Sequence, residues 1–296
     1  MYEFPKSMLR LEGRNVSGKA LAAGSRLIAF AAVLLLTAFA TATWSQEAKA
    51  NLEDDLLKRL HKESQSIMEE GSFFKVIDGK QVDVPLRKEP VFRHIDQTRN
   101  EQGGGVWMIG DKGRPMAMSV LYTFPDATHW VQSMRSLSPS KDIGGNLKGG
   151  NRWRPTAAGI EFKPLPKAPK PSKSKKLLFT QLKRQAQRFS GHEFWRGSRH
   201  ELRLIPRELH KYEDPDNGIV TGAIFAIAHN TNPETYLVLE VQADNDQRTW
   251  QYALARFGFA ELHINIDEKE VWKKPLIGSA GSRDPYYLFH LPRQTF

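Results

Sequence analysis

The chain has 296 residues, 40% hydrophobic and 26% charged, with a formal net charge of +10 and no cysteine. That composition belongs to a globular chain of one or two domains. The missing thiols exclude disulfides, thiolate metal sites and cysteine nucleophiles.

Residues 1–26 carry Lys6, Arg10, Arg14, Lys19 and Arg26 against Glu3 and Glu12, a contribution of +3. The uncharged run Leu27–Ala42 follows and ends on Ala40-Thr41-Ala42. A basic segment, an apolar segment and small residues at the end form an export signal over 1–42. The rival reading is a retained anchor, although a spanning helix needs about 20 apolar residues. Either way the remainder is expected outside the cytoplasm, in a periplasm or secreted, and the membrane is met only through this segment if it stays uncleaved.

Residues 50–69 predict a helix, with Leu52, Leu56, Leu60 and Ile67 near one face and Gly71 as the stop. Asp78-Gly79 marks a hairpin inside "FFKVIDGKQVDVP", and "VFRHID" alternates as a strand. The stretch "GGGVWMIGDKGRPMAMSVLYTF", 103–124, reads as two strands around a turn, and "THWVQSMRSLS" as another strand. From Ser138 to Lys176 the periodicity gives way to Gly, Pro, Ser and Lys, although Trp153, Ile160 and Phe162 suit a packing arm. "KLLFTQLKRQAQRFSG" predicts a second helix with Leu178, Leu182, Ala186 and Phe189 on its stripe, ended by Gly191. "ELRLIPRELHKYE" reads as strand, turn and strand, "GAIFAIAHNTNPETYLVLEVQA" (222–243) as a hairpin, and "WQYALARFGFAELHINIDEKEVW" as one or two strands.

The two halves present similar elements in the same order. Trp107 to Trp130 is 23 residues, and Phe225 to Trp250 is 25. This suggests an internal repeat. The expected fold class is α+β: two tandem units, each an amphipathic helix packed on an antiparallel sheet, cystatin-like or NTF2-like in outline. The expected boundaries are 50–137 for the first unit, 138–175 for a linker and arm, and 176–296 for the second unit. The sheets of such units can share a hydrophobic core.

Arg154-Pro155, the Pro-rich segment, Glu201-Leu202-Arg203-Leu204 and Trp250-Gln251-Tyr252 carry a resemblance to a family of exported planctomycete proteins with no assigned activity. The likeness covers much of 85–296 and is densest over 151–256. It implies export and a shared fold, and it offers no catalytic residues.

Chemistry is weakly signalled. His192-Glu193 and His200-Glu201 set an acid beside an imidazole, but Arg196 stands where a zinc protease helix has its second histidine. Asp244 and Asp246 begin like a calcium loop, yet Thr249 and Ala255 replace its glycine and final glutamate. No nucleophile elbow, phosphate loop or dinucleotide fingerprint occurs. No metal site and no cofactor are expected. The alternation of "YLVLEVQ" sets Tyr236, Val238 and Glu240 opposite Leu237, Leu239 and Val241, which predicts a solvent-facing Glu240. A buried Glu240 would instead be a proton-transfer candidate.

The leading expectation is an exported non-catalytic binding or structural module of the cell envelope, using Tyr236, Trp250 and Arg203 on an open face. The alternative is an exported hydrolase acting on a polymer through His229, Glu240, His210 and Glu213. The basic balance points to anionic lipid, polysaccharide or cell-wall polymer, an envelope protein or polysaccharide is the expected partner, and no nucleic-acid signature is present.

Overall fold

Left-handed turn residues set many of the strand boundaries. The computed structural model describes residues 53–96, 101–125, 127–230, 232–245 and 247–293. The expected export segment, the start of the first helix at 50–52 and Asp246 lie outside them. Asp78 and Gly79 take φ of 49° and 77° between β1 (Ser72–Ile77) and β2 (Lys80–Asp83), as a two-residue hairpin turn requires. Arg196-Gly197 does the same between β10 (Phe189–Trp195) and β11 (Ser198–Leu204). Asp267-Glu268 repeats it between β16 (Glu261–Ile266) and β17 (Lys269–Lys274).

The strand order recurs. β3 (Phe92–Asp96), β4 (Glu101–Ile109), β5 (Ala117–Thr123) and β6 (His129–Ser136) pair as an antiparallel meander. β12 (His210–Asp214), β13 (Ile219–His229), β14 (Asn232–Asp244) and β15 (Gln247–Arg256) pair in the same sequence. β1 also pairs β7 (Ile143–Asn146), which pairs β8 (Arg152–Trp153), just as β10 pairs β16 and β16 pairs β17. The stretches 103–124 and 222–243 are thus the central hairpins of equivalent meanders.

The halves differ in what joins them. In the second half β11 pairs β13, and β9 (Lys163–Pro164) pairs β15, giving one nine-stranded sheet. In the first half the two sets stay apart as four- and five-stranded sheets, with β18 (Tyr286–Pro292) returning to pair β6.

Packing follows from strands that are buried on both faces. Val106, Met108, Met118 and Val120 of the five-stranded sheet meet Ile224, Tyr236, Val238 and Ala253 of the large sheet in one core. On the other face of the five-stranded sheet, helix α1 (53–69) places Leu60, Ile67 and Met68 on Trp107 and Trp130. Gly103 is needed there: its φ is +62°, and a Cβ would lie 2.9 Å from the Leu60 Cβ. On the other face of the large sheet, α2 (Lys175–Ala186) buries Leu178, Leu182 and Ala186 against Phe225, Leu237, Leu239 and Ile264. Residues 57–296 form one contact unit.

The expected α+β class with two tandem helix-on-sheet units is therefore corrected to a mostly β fold. Eighteen strands and two α-helices occur among the described residues. Each meander turns one face to a helix and the other to the opposing sheet, an arrangement that strand periodicity does not reveal. The second helix is also shorter than expected. It ends at Ala186, and Phe189 and Gly191 belong to β10. Phe189 keeps the helical phase of Ala186, so the apolar stripe runs on across the helix–strand junction. In "WQYALARFGFAELHINIDEKEVW" three strands form, β15, β16 and β17.

Tyr236 lies wholly inside the inter-sheet core, edge-on to Phe257 at 5.2 Å between centroids. Its hydroxyl has no hydrogen-bond partner among the described residues. Removing an unsatisfied buried hydroxyl relieves its desolvation cost. Tyr236→Phe is expected to raise stability by about 1 kcal/mol in urea unfolding, and a clear loss would show that the hydroxyl has a partner.

Candidate functional site

Glu240 faces the opposing sheet and is fully buried, contrary to the solvent-facing expectation. The alternation itself is real: Tyr236 and Val238 point to the inter-sheet core, and Leu237, Leu239 and Val241 to the α2 side. Both sides are covered. Strand register sets Tyr212, Gly222, Glu240 and Gln251 in a row across β12, β13, β14 and β15. A Cβ on Gly222 would lie 2.5 Å from the Tyr212 ring, so only glycine lets that ring cross β13. The Tyr212 hydroxyl donates to Glu240 Oε1 at 2.5 Å, and Gln251 Nε2 to Oε2 at 2.8 Å. Arg114, from the turn between β4 and β5, donates Nε and Nη2 to the two carboxylate oxygens at 2.7 Å each. Burial opposes the Arg114 charge, but the hydrogen bonds and charge of Glu240 outweigh it and raise its pKa. Burial first, and then the Glu240 charge, push the Tyr212 phenol well above its ordinary value. Both carboxylate oxygens are occupied, so the arrangement is a clamp between sheets.

The other candidates do not gather around it. His210 accepts from Arg87 Nη1 at Nδ1, 3.1 Å away, and stacks on Tyr212. Glu213 is exposed and pairs with Lys175 at 2.6 Å. Trp250 is buried on the α2 side, its indole N–H donating to the Pro169 carbonyl at 2.9 Å. Arg203 is exposed on β11. Tyr236, Trp250 and Arg203 therefore share no open face, which corrects the expected binding trio: Tyr236 and Trp250 lie on opposite sides of the large sheet.

His229 lies elsewhere, in a cavity of about 530 Å³ where the ends of β10, β11, β13 and β14 meet the five-stranded sheet. Tyr122, Phe124, Trp195, Phe259 and Tyr286 supply its rings. The Arg196-Gly197 turn makes Glu193 and His200 register partners, and the His200 ring lies 4.8 Å from that of His229. Asn232, the register partner of His229, is buried and donates Nδ2 to Glu234 at 3.1 Å. Its Oδ1 has no partner among the described residues. Arg135, also buried, donates to the Phe257 carbonyl and to Ser133 and lies over the Phe257 and Tyr286 rings. Burial holds Arg256 down to about 10, and it donates to the carbonyls of Gly258, Ala260 and Pro275. That clip shapes the loop forming one wall. Sequence reasoning noted the acid–imidazole dipeptides but missed the cavity, because its groups converge across strands distant in sequence.

Among the described residues no group of three or more His, Asp and Glu is placed to hold a metal ion, and no helix is long and apolar enough to cross a membrane. Comparison with protein-family models, with curated proteins and with solved structures returned no match.

Arg114→Met leaves the buried Glu240 carboxylate without its counter-charge and is expected to cost about 3–5 kcal/mol in urea unfolding. Adding Glu240→Gln should recover part of that loss, and strict additivity would deny the coupling. Burial, and then Arg87, push His210 down to about 4. An unfolded histidine titrates near about 6.5, so the unfolded state binds more protons between those values. Stability is expected to fall as pH drops from about 6.5 to about 4. His210→Asn should flatten that limb when urea midpoints are compared at both ends of the window, and an unchanged limb would assign it to other groups.

Proposed function

We propose that the chain is an exported, non-catalytic binding module of the cell envelope whose ligand occupies the cavity between the β10–β11 end of the large sheet and the five-stranded sheet. The observation that carries this reading is the combination of ring faces with polar atoms still open to a ligand: the His200 and His229 imidazoles and the buried Asn232 Oδ1. A cavity of that size with aromatic walls and few convergent polar groups suits a small amphipathic ring, such as a sugar unit. The apolar run Leu27–Ala42 supports export, and the resemblance to exported planctomycete proteins supports it in the same way.

The hydrolase alternative loses its original basis, because Glu240 is saturated and His210, Glu213 and His229 stand in separate places. One observation keeps it as a second reading: Glu193 and His200 are register partners within the same cavity.

A panel of neutral mono- and disaccharides, followed by thermal unfolding, tests the proposal. A ligand at about 100 times its Kd stabilises by about 2.7 kcal/mol. At least one sugar is expected to raise the melting temperature of the wild type but not of Trp195→Ala or Asn232→Ala. A rise that survives both substitutions, or a panel that binds nowhere, would overturn the cavity as the site. Turnover of a bound sugar that disappears in Glu193→Gln would favour the second reading.

A further inference from the structure

The stretch from Lys163 to Lys176 has the composition of a solvated linker, yet it is fastened along its length. Its backbone carbonyls are taken by side chains of the body: Pro166 by Arg188, Pro169 by Trp250, Lys170 by Gln181 and Ser172 by Arg248. The Ser172 N–H donates to Gln181 Oε1 at 2.8 Å. Leu165, Ala168 and Pro171 turn inward at every third residue. Lys167, Lys170 and Lys173 are exposed at the same period, and Lys176 continues it. Lys167 sits in a turn with φ of +53° and Lys176 in the first turn of α2, so the four lysines share exposure and sequence period along a strap that is not one straight run.

The basic charge along this strap is only partly paired. Residues 163–190 contain nine basic residues and no acid. Lys163, Lys175, Lys183 and Arg188 have carboxylate partners, from Glu161, Glu213, Glu208 and Asp267. Lys167, Lys170, Lys173, Lys176 and Arg184 have no carboxylate within 4 Å among the described residues. Where the strap meets α2, Lys173, Lys176, Lys211 and Arg248, together with the Lys175–Glu213 pair, line a trough of about 900 Å³ in which Lys211 lies over the Phe179 ring.

We propose that this strap is a binding rail for a linear polyanion of the acidic polysaccharide class. Ordering a flexible lysine-rich segment on binding costs conformational entropy, and here the fold has already met that cost. Exposed ammonium groups on a chain already held in place suit a polyanion, and under the proposed exported location, on which this inference rests, that polymer is an acidic polysaccharide. No exposed aromatic side chain stands along the strap to stack nucleic-acid bases. Leu177, 59% exposed, is a single apolar side chain near the strap, too little for insertion into a bilayer.

The test uses the full chain and fluorescently labelled heparin as probe, with affinity measured against salt concentration. One variant carries Lys167→Gln, Lys170→Gln, Lys173→Gln and Lys176→Gln. A charge-matched control carries Lys80→Gln, Lys88→Gln, Lys141→Gln and Lys269→Gln, all exposed and outside the strap. Each phosphate-like contact contributes about 0.7 to the slope of log affinity against log salt. The strap variant is therefore expected to lower that slope by about 3, with the control close to wild type. Equal losses in both variants would reduce the effect to net charge and overturn the rail. Tighter, strap-dependent binding to phosphatidylserine vesicles or to duplex DNA than to heparin would overturn the polysaccharide class.

Discussion

The contact on which the inter-sheet arrangement depends is the buried ion pair between Arg114 and Glu240. Arg114 belongs to the turn of one meander and Glu240 to the middle of the other. Taking both charges out of water is costly, and the pair is tolerable only because every carboxylate oxygen is used. Tyr212 and Gln251 supply the remaining donors, and Gly222 clears the path that Tyr212 needs. Apolar packing between two sheets tolerates sliding, since leucine on valine is much like valine on leucine. A bidentate guanidinium–carboxylate pair with two further donors has one geometry, so it registers one sheet against the other while the surrounding core supplies the attraction.

That registration has a consequence for the rest of the molecule. Beyond β8 the chain packs Ile160 and Phe162 into the inter-sheet core, and the Phe162 ring lies under the Arg114 guanidinium at 4.3 Å. Immediately beyond it the strap begins, paired to β15 through Lys163 and Pro164. The clamp and the strap are therefore anchored to the same strand, β15, Gln251 serving the first and Trp250 the second. A segment whose composition predicts solvated chain becomes part of the scaffold because its carbonyls meet donors of α2, of β15 and of Arg188.

Much of the local structure was legible in the sequence. The Asp78-Gly79 turn, a strand within "VFRHID" and the two central hairpins all formed where the sequence placed them. The equivalence of 103–124 with 222–243 is visible in strand order. What failed was anything that depends on a third layer. Period two assigns Tyr236 and Glu240 to one face but does not say whether water or another sheet lies beyond it. The stripe through Phe189 keeps helical phase although the helix has ended, because a helix and the strand after it can bury the same side. The candidate cavity was missed for a related reason. Glu193 and His200 are seven residues apart, and only the Arg196-Gly197 turn makes them neighbours. Asn232 has no signal in the sequence at all.

The repeated strand order also explains why that cavity occurs in one half. In the first half the hairpin β1–β2 belongs to a separate four-stranded sheet. In the second half Arg203 and Leu204 of β11 pair with Ala228 and Ile227, so the equivalent hairpin is stitched onto β13. That pairing carries Glu193, Trp195 and His200 to the end of β13, where His229 and Asn232 already stand. It leaves their polar atoms facing the aromatic edge of the five-stranded sheet. A bulge between Ile227 and Ala228 lies at the junction itself, and bulges re-aim the side chains that follow them. The site is thus a product of asymmetry: the same order of strands, joined once more in one half than in the other.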